Sequence, residues 1–251
     1  MGTFTWVMMP IALVVAIAAI SSGIESPALF VPILRVVLPL LHVPPMSVAT
    51  AILTSLTIQA VGFSSGSISH LRQGNVASRV VKRGALPAVL GAAAGTLISL
   101  GASGRILELV TVWVILVSLA QISGLQLTQR LGLRLTAGLG AMLTGLVGVG
   151  LGPALTSFLV VEGHPPRRAV GSTIPLILMV VLVAGSLRIV SLHLPLVALR
   201  WGFIIPAWLG VVLGSQAAPV IQSRVPNHIA KRAIQAVFLC AAALALYDAM
   251  R

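Results

Sequence analysis

Long stretches of this chain carry no charged side chain at all. Residues 1–24 and 36–71 contain no Asp, Glu, Lys or Arg, and further uncharged runs cover 84–104, 109–129, 135–161, 169–187, 201–223 and 233–247. A helix needs about 20 apolar residues to cross a bilayer, and most of these runs are long enough for one pass. Composition agrees: 58% of residues are hydrophobic, 8% are charged and the mean hydropathy is +1.09. A soluble domain carries about 25% charged residues, because something must face water. A chain of 251 residues cannot bury that much apolar surface in one aqueous globule. The expected class is an all-α polytopic membrane protein.

Ten membrane segments are expected, at roughly 5–22, 27–42, 47–66, 84–101, 106–125, 135–150, 153–162, 169–187, 200–218 and 231–249. The His42-Val43-Pro44-Pro45 punctuation divides the second from the third. The seventh is too short for a full span, and the second carries Arg35 in its middle. Both read as half-helices or re-entrant pieces, which are tolerated where protein covers the broken backbone. The N-terminal segment lacks a positive n-region and a cleavage site after Ser22, so it reads as a retained helix. Cys240 reads as a small hydrophobe packed between helices.

The net charge of +12 does not point to nucleic acid. The basic residues are spread through short loops and form no stripe with aromatic side chains. They serve instead to orient the chain. Loops after the third, fifth, seventh and ninth segments hold eleven Lys and Arg, and the opposite side holds Arg105, Arg188, Arg200 and Arg251. The basic side is expected in the cytoplasm, with both termini outside.

The chain also repeats itself. Pro87-Ala88-Val89-Leu90-Gly91 with Gly95 recurs as Pro206-Ala207-Trp208-Leu209-Gly210 with Gly214, an offset of 119. Pro27-Ala28-Leu29 recurs as Pro153-Ala154-Leu155, an offset of 126. A longer turn around 38–45 accounts for the difference. Two halves are expected, residues 1–125 and 126–251, with five segments each. An odd number per half inverts the second copy in the bilayer. Inverted repeats with broken helices near the midplane are a recurrent transporter architecture. The competing reading is a duplicated membrane scaffold that moves nothing.

Two breaks are candidate sites. In Ser21-Ser22-Gly23-Ile24-Glu25-Ser26-Pro27 a helix meets Gly23 and then Pro27, with Glu25 between two apolar runs. An intramembrane carboxylate is costly and is by default a functional hypothesis, for a proton, a cation or a loop anchor. The counterpart is Gly145-Leu146-Val147-Gly148-Val149-Gly150-Leu151-Gly152-Pro153, which has no acidic residue. A helix starting at Pro153 would offer free N–H groups to an anion. No strand precedes these glycines, so a nucleotide loop is excluded. The GxxxG pairs Gly91/Gly95 and Gly210/Gly214 read as helix–helix packing.

Hydroxyls gather on equivalent segments, Thr50 and Thr54 in the first half, Ser172 and Thr173 in the second. Spacing of four places Thr50 and Thr54 on one helical face. Such groups can donate to an oxyanion, or bond back to their own helix. Arg35 is either a direct anion partner or a snorkelling cation. The five histidines sit in or beside loops without metal-ligand spacing, and no Ser/His/Asp or Cys/His set is present. The expected substrate-binding set is therefore Gly23, Glu25, Ser26, Arg35, Thr50, Thr54, Gly148, Gly150, Gly152, Ser172 and Thr173, with no catalytic residue, metal or cofactor.

The pattern resembles the TauE/SafE sulfite exporter family. Pro32-Ile33-Leu34 after the first break, and Gly148 to Pro153 at the second, are similar to that family's Gly-rich break and Pro-x-Leu. Pro165-Pro166-Arg167-Arg168-Ala169-Val170-Gly171-Ser172-Thr173 looks like its second-half turn and hydroxyl stretch, and His70 to Val76 like its basic-x-Gly-x-Val loop. The first break departs from the pattern, with one glycine and Glu25 where the family usually has several glycines. The resemblance implies a multi-pass protein of the bacterial inner membrane. It implies outward movement of sulfite, small organosulfonates or related carboxylates, with potential or proton coupling as the drive. The partners expected are a small anion and the lipid bilayer, with oligomerisation left open.

Overall fold

A computed structural model describes residues 6–40, 43–44, 46–123, 131–191, 199, 201–224 and 227–250. Among them every regular element is helical, and the helices follow the ten expected segments in order. We number them α1 (Met8–Ser22), α2 (Pro27–Leu40), α3 (Val48–Arg72), α4 (Ser78–Gly101), α5 (Gly104–Ser123), α6 (Leu133–Val147), α7 (Leu151–Val161), α8 (Pro166–Ser191), α9 (Trp201–Arg224) and α10 (Asn227–Met250). His42, Pro45, Arg130, His193, Arg200 and Arg251 lie outside the described residues.

Five helices are each long and apolar enough to cross a membrane: α3, α4, α5 up to Gln121, α8 and α9 up to Ile221. The chain is a multi-pass membrane protein. Its outer surface shows why water is the wrong solvent: Leu86, Leu90 and Leu97 on α4 and Ile106, Leu109 and Trp113 on α5 are all more than half exposed. A contiguous apolar surface of this kind belongs against lipid. The 11 residues of α7 reach only about 16 Å, half the hydrocarbon thickness. The α2 helix is interrupted by a π turn over Ile33–Val37.

The helices pair in a matched way. The two most extensive contacts are α4 on α6 and α1 on α9, followed by α4 on α8 and α3 on α9. The α3 and α8 helices pack on one another, as do α5 and α10. The GxxxG pairs make the first two contacts. A methyl group on Gly91 or Gly95 would collide with the carbonyls of Gly138 and Met142 in α6, and one on Gly210 or Gly214 with those of Met9 and Leu13 in α1. Small residues let the backbones touch, which is how helices associate where lipid supplies no hydrophobic drive.

Polar contacts pin the bundle. Arg35 donates from Nη2 to Glu108 of α5 at 2.6 Å and from Nε to Asp248 of α10 at 2.5 Å. The Trp208 indole of α9 donates to the Thr57 carbonyl of α3 at 3.2 Å, and Gln216 donates to Ser65 Oγ at 2.7 Å. Two expectations change here. Arg188 is not in a loop: it lies inside α8 and is 1% exposed, so it drops out of the loop residues used for the expected orientation. Cys240, expected between helices, is exposed on α10.

Candidate functional site

Both breaks form as local sequence dictates. The α1 helix ends at Gly23 with φ 70° and α6 ends at Gly148 with φ 88°, a left-handed cap that glycine adopts without a Cβ clash. The chain restarts at Pro27, the first residue of α2, and at Leu151, the first residue of α7. Between Gly23 and Ser26 the backbone is irregular.

The two breaks cross each other inside the protein. A methyl group on Gly148 would stand 2.8 Å from Pro27 Cβ, and one on Gly23 would stand 2.7 Å from Thr156 Oγ1 of α7. A methyl group on Gly152 would collide with the Gly23 carbonyl and stand 2.8 Å from Glu25 Oε2. The α6–α7 turn is itself tight. Leu151 Cα would be 2.9 Å from a methyl on Gly140, so the chain doubles back along α6.

Glu25 lies at the crossing and is 0% exposed. Its Oε1 accepts from the Gly152 N–H at 2.9 Å and from the Thr144 hydroxyl at 2.8 Å. The Thr144 oxygen accepts in turn from the Leu151 N–H at 2.9 Å. One carboxylate oxygen thus satisfies two of the unpaired N–H groups that begin α7, one directly and one through a hydroxyl. The same oxygen stands at the positive end of that helix. Glu25 Oε2 makes no well-formed hydrogen bond among the described residues.

Arg188 serves the opposite end of the same interruption. Its Nη2 donates to the carbonyls of Gly145 at 2.8 Å and Leu146 at 3.0 Å, at the end of α6. Thr96 donates from α4 to that Gly145 carbonyl at 3.3 Å. The helix break is therefore framed by the buried Glu25 carboxyl group on its N–H side and the buried Arg188 guanidinium on its C=O side. The two side chains do not pair with each other.

The remaining expected residues divide. Ser26 is buried beside Glu25, and its carbonyl accepts from the Phe30 N–H at 2.9 Å. Gly150, with φ 155°, completes the turn into α7. Thr173 is fully buried and joins the crossing through Thr156, whose hydroxyl lies 3.3 Å from its own. Thr54 is fully buried and its hydroxyl has no partner among the described residues. Ser172 is occupied elsewhere: it donates to the Arg168 carbonyl at 2.6 Å and accepts from the Ala77 N–H at 2.8 Å, holding the start of α4. Thr50 sits in the first turn of α3 with its backbone N–H bonded to Ser47 Oγ at 3.2 Å, and it is only half-buried where Thr54 is fully buried. Arg35 is engaged with Glu108 and Asp248 and stands outside the crossing.

Three residues at the crossing carry no signal of their own in sequence: Thr144, Thr156 and Arg188. His70 lies beside a loop, as expected, but is not at the surface. It is fully buried in the last turn of α3, against Gly171, with neither ring nitrogen bonded among the described residues.

A family model described as sulfite exporter TauE/SafE matches residues 6–246. The chain belongs to the TauE/SafE family. The match runs across both breaks and all ten helices, so the crossing lies within the matched region rather than in an appended part. TauE/SafE membership makes this a membrane transport protein, in keeping with its apolar helices. No curated protein and no solved structure matches the chain.

Proposed function

We propose that this chain is a secondary transporter that exports a small oxyanion, of the sulfite or organosulfonate class, from the bacterial cell across the inner membrane. The observation that carries the reading is the crossing of two broken helices at a buried polar centre, where the N–H groups of α7 are aimed at an anion position. Backbone N–H groups and hydroxyls bind an oxyanion without the desolvation cost of a full positive charge. The family description supplies the substrate class.

The halves 1–125 and 126–251 act as inverted repeats in this proposal. The matched pairings support it, since α1 on α9 corresponds to α6 on α4 and α3 on α9 to α8 on α4. Two alternative packings of one half against the other would open the centre to opposite sides in turn. Gly23, Glu25, Ser26, Gly148, Gly150 and Gly152 form its floor and roof, and Thr54, Thr156 and Thr173 its hydroxyl walls. Expelling one negative charge is favoured by about 2.3 kcal/mol per 100 mV in a negative-inside cell. Export of a monoanion needs no coupling ion, and Glu25 is the group placed to couple a proton if one moves. No metal, cofactor or catalytic set enters the mechanism.

A thermal-shift series on the solubilised protein with sulfite, sulfoacetate, taurine and simple carboxylates tests the substrate class. Stabilisation by sulfite or a sulfonate above the carboxylates is the expected result. Preference for a carboxylate would move the cargo to that class, and no shift with any anion would favour a non-transporting scaffold.

A further inference from the structure

We propose that Glu25 is the chain's own stand-in for the substrate: its carboxylate occupies the anion position at the start of α7, and the transported oxyanion binds there by displacing it. The inference rests on the transporter reading above and deepens it.

The N-terminus of α7 is built to receive an anion and supplies no cap of its own. Its N-cap residue is Gly150, which has no side chain, and no side-chain cap bond is formed within the turn. The donors that would grip an oxyanion, the Gly152 N–H and the Thr144 hydroxyl carrying the Leu151 N–H, are both spent on Glu25 Oε1. That carboxylate comes from the other half of the chain, 127 residues away. Its second oxygen is fully buried and makes no well-formed hydrogen bond among the described residues, although the backbone N–H groups of Gly150 and Glu25 also act on the carboxyl group. A group whose sole task was to cap α7 would be expected to satisfy both oxygens, because a bare carboxylate oxygen in the membrane interior is costly.

Space and charge make the two occupants exclusive. The surroundings of Gly152 are already filled, since a methyl there would collide with the Gly23 carbonyl and stand 2.8 Å from Glu25 Oε2. With Glu25 ionised, as this proposal requires, two negative charges a few ångströms apart in a weakly polar interior repel strongly. Glu25 also sits on irregular backbone between two helices, where a change of side-chain direction disturbs no helical hydrogen bond. The empty transporter therefore holds its two halves together through the bond that the cargo must break.

The test is anion affinity at one fixed pH, by titration calorimetry of sodium sulfite into the purified full-length protein, for wild type, Glu25→Gln and Glu25→Asp. Glutamine has the same shape and can still accept from Gly152, but it lacks the competing charge. Sulfite is expected to bind Glu25→Gln at least about tenfold more tightly than wild type, and Glu25→Asp, which keeps the charge, close to wild type. Equal or weaker binding by Glu25→Gln would overturn the inference while leaving the transporter reading in place. If wild type binds neither sulfite nor a sulfonate, both fall. Should Glu25→Gln fail to fold, the infrared difference spectrum of wild type decides. A shift in a buried carboxyl band on adding sulfite is expected, and a flat carboxyl region would overturn the proposal.

Discussion

Glu25 Oε1 and the Gly152 N–H meet at 2.9 Å across 127 residues of sequence, joining the irregular backbone after α1 to the first turn of α7. Few single bonds tie the two breaks so directly. Gly152→Ala would drive a methyl into the Gly23 carbonyl and Glu25 together. The expected cost is about 1–3 kcal/mol of stability, as for other overpacked sites, and loss of transport. Thermal unfolding in detergent together with flux reads both. An unchanged melting temperature would mean the two breaks do not touch as described.

Thr54 and Thr173 differ in a way that separates stability from transport. The Thr54 hydroxyl is buried without a partner, whereas Thr173 donates to the Ala169 carbonyl at 2.9 Å. Thr54→Val removes no protein hydrogen bond, so stability should hold or rise by up to about 1 kcal/mol. If that hydroxyl serves the substrate, KM for anion flux should rise several-fold. A variant that is both as stable and as active as wild type would remove Thr54 from the site.

Arg35 should behave as a clamp. Its side chain is 16% exposed and holds Glu108 and Asp248 at 17% and 13% exposure. Arg35→Met would strand two nearly buried carboxylates, at an expected cost of about 3 kcal/mol. Adding Glu108→Gln and Asp248→Asn should recover much of it. Anion affinity of the rescued triple variant should match wild type, and a persistent affinity loss would return Arg35 to the binding site.

Glycines offer a paired control on helix packing. Gly185 of α8 has nothing within 4 Å of an added methyl, while Gly95 of α4 faces the Met142 carbonyl directly. Gly185→Ala should be neutral or stabilising by about 0.5–1 kcal/mol through helix propensity. Gly95→Ala should open the α4–α6 contact and lower the melting temperature. Equal effects at the two positions would contradict the close approach.

Much of this architecture is legible from the sequence because it is local. Eight charge-free runs mark most of the ten helices, and the Gly/Pro punctuation at Gly23–Pro27 and Gly148–Pro153 marks the breaks. The glycine pairs at 91/95 and 210/214 announce backbone contact, though not with which helix. Contacts between distant segments are a different matter. Thr144 looks like any mid-helix threonine until Glu25 arrives from the other half. Arg188 closes an uncharged run and so reads as a loop residue, but α8 continues past it and the carbonyls of Gly145 and Leu146 draw it inward. Arg35 reads as an anion partner or a snorkelling cation because its carboxylates lie 73 and 213 residues away.

Arg188 should matter more for stability than its single charge implies. Arg188→Gln leaves the Gly145 and Leu146 carbonyls short of donors in a water-free interior, with an expected loss of about 2–4 kcal/mol. Arg188→Lys should recover part of it, measured by thermal unfolding. A neutral Arg188→Gln would place this side chain outside the helix break.

The central claim is that an anion passes through the crossing of the two breaks. Sulfite efflux from proteoliposomes containing the purified full-length chain, under an imposed inside-negative potential, tests it most directly. Saturable efflux above that of empty vesicles, abolished by Gly152→Ala, is the predicted result. Efflux of sulfite, sulfonates and small carboxylates no faster than from empty vesicles would contradict the account.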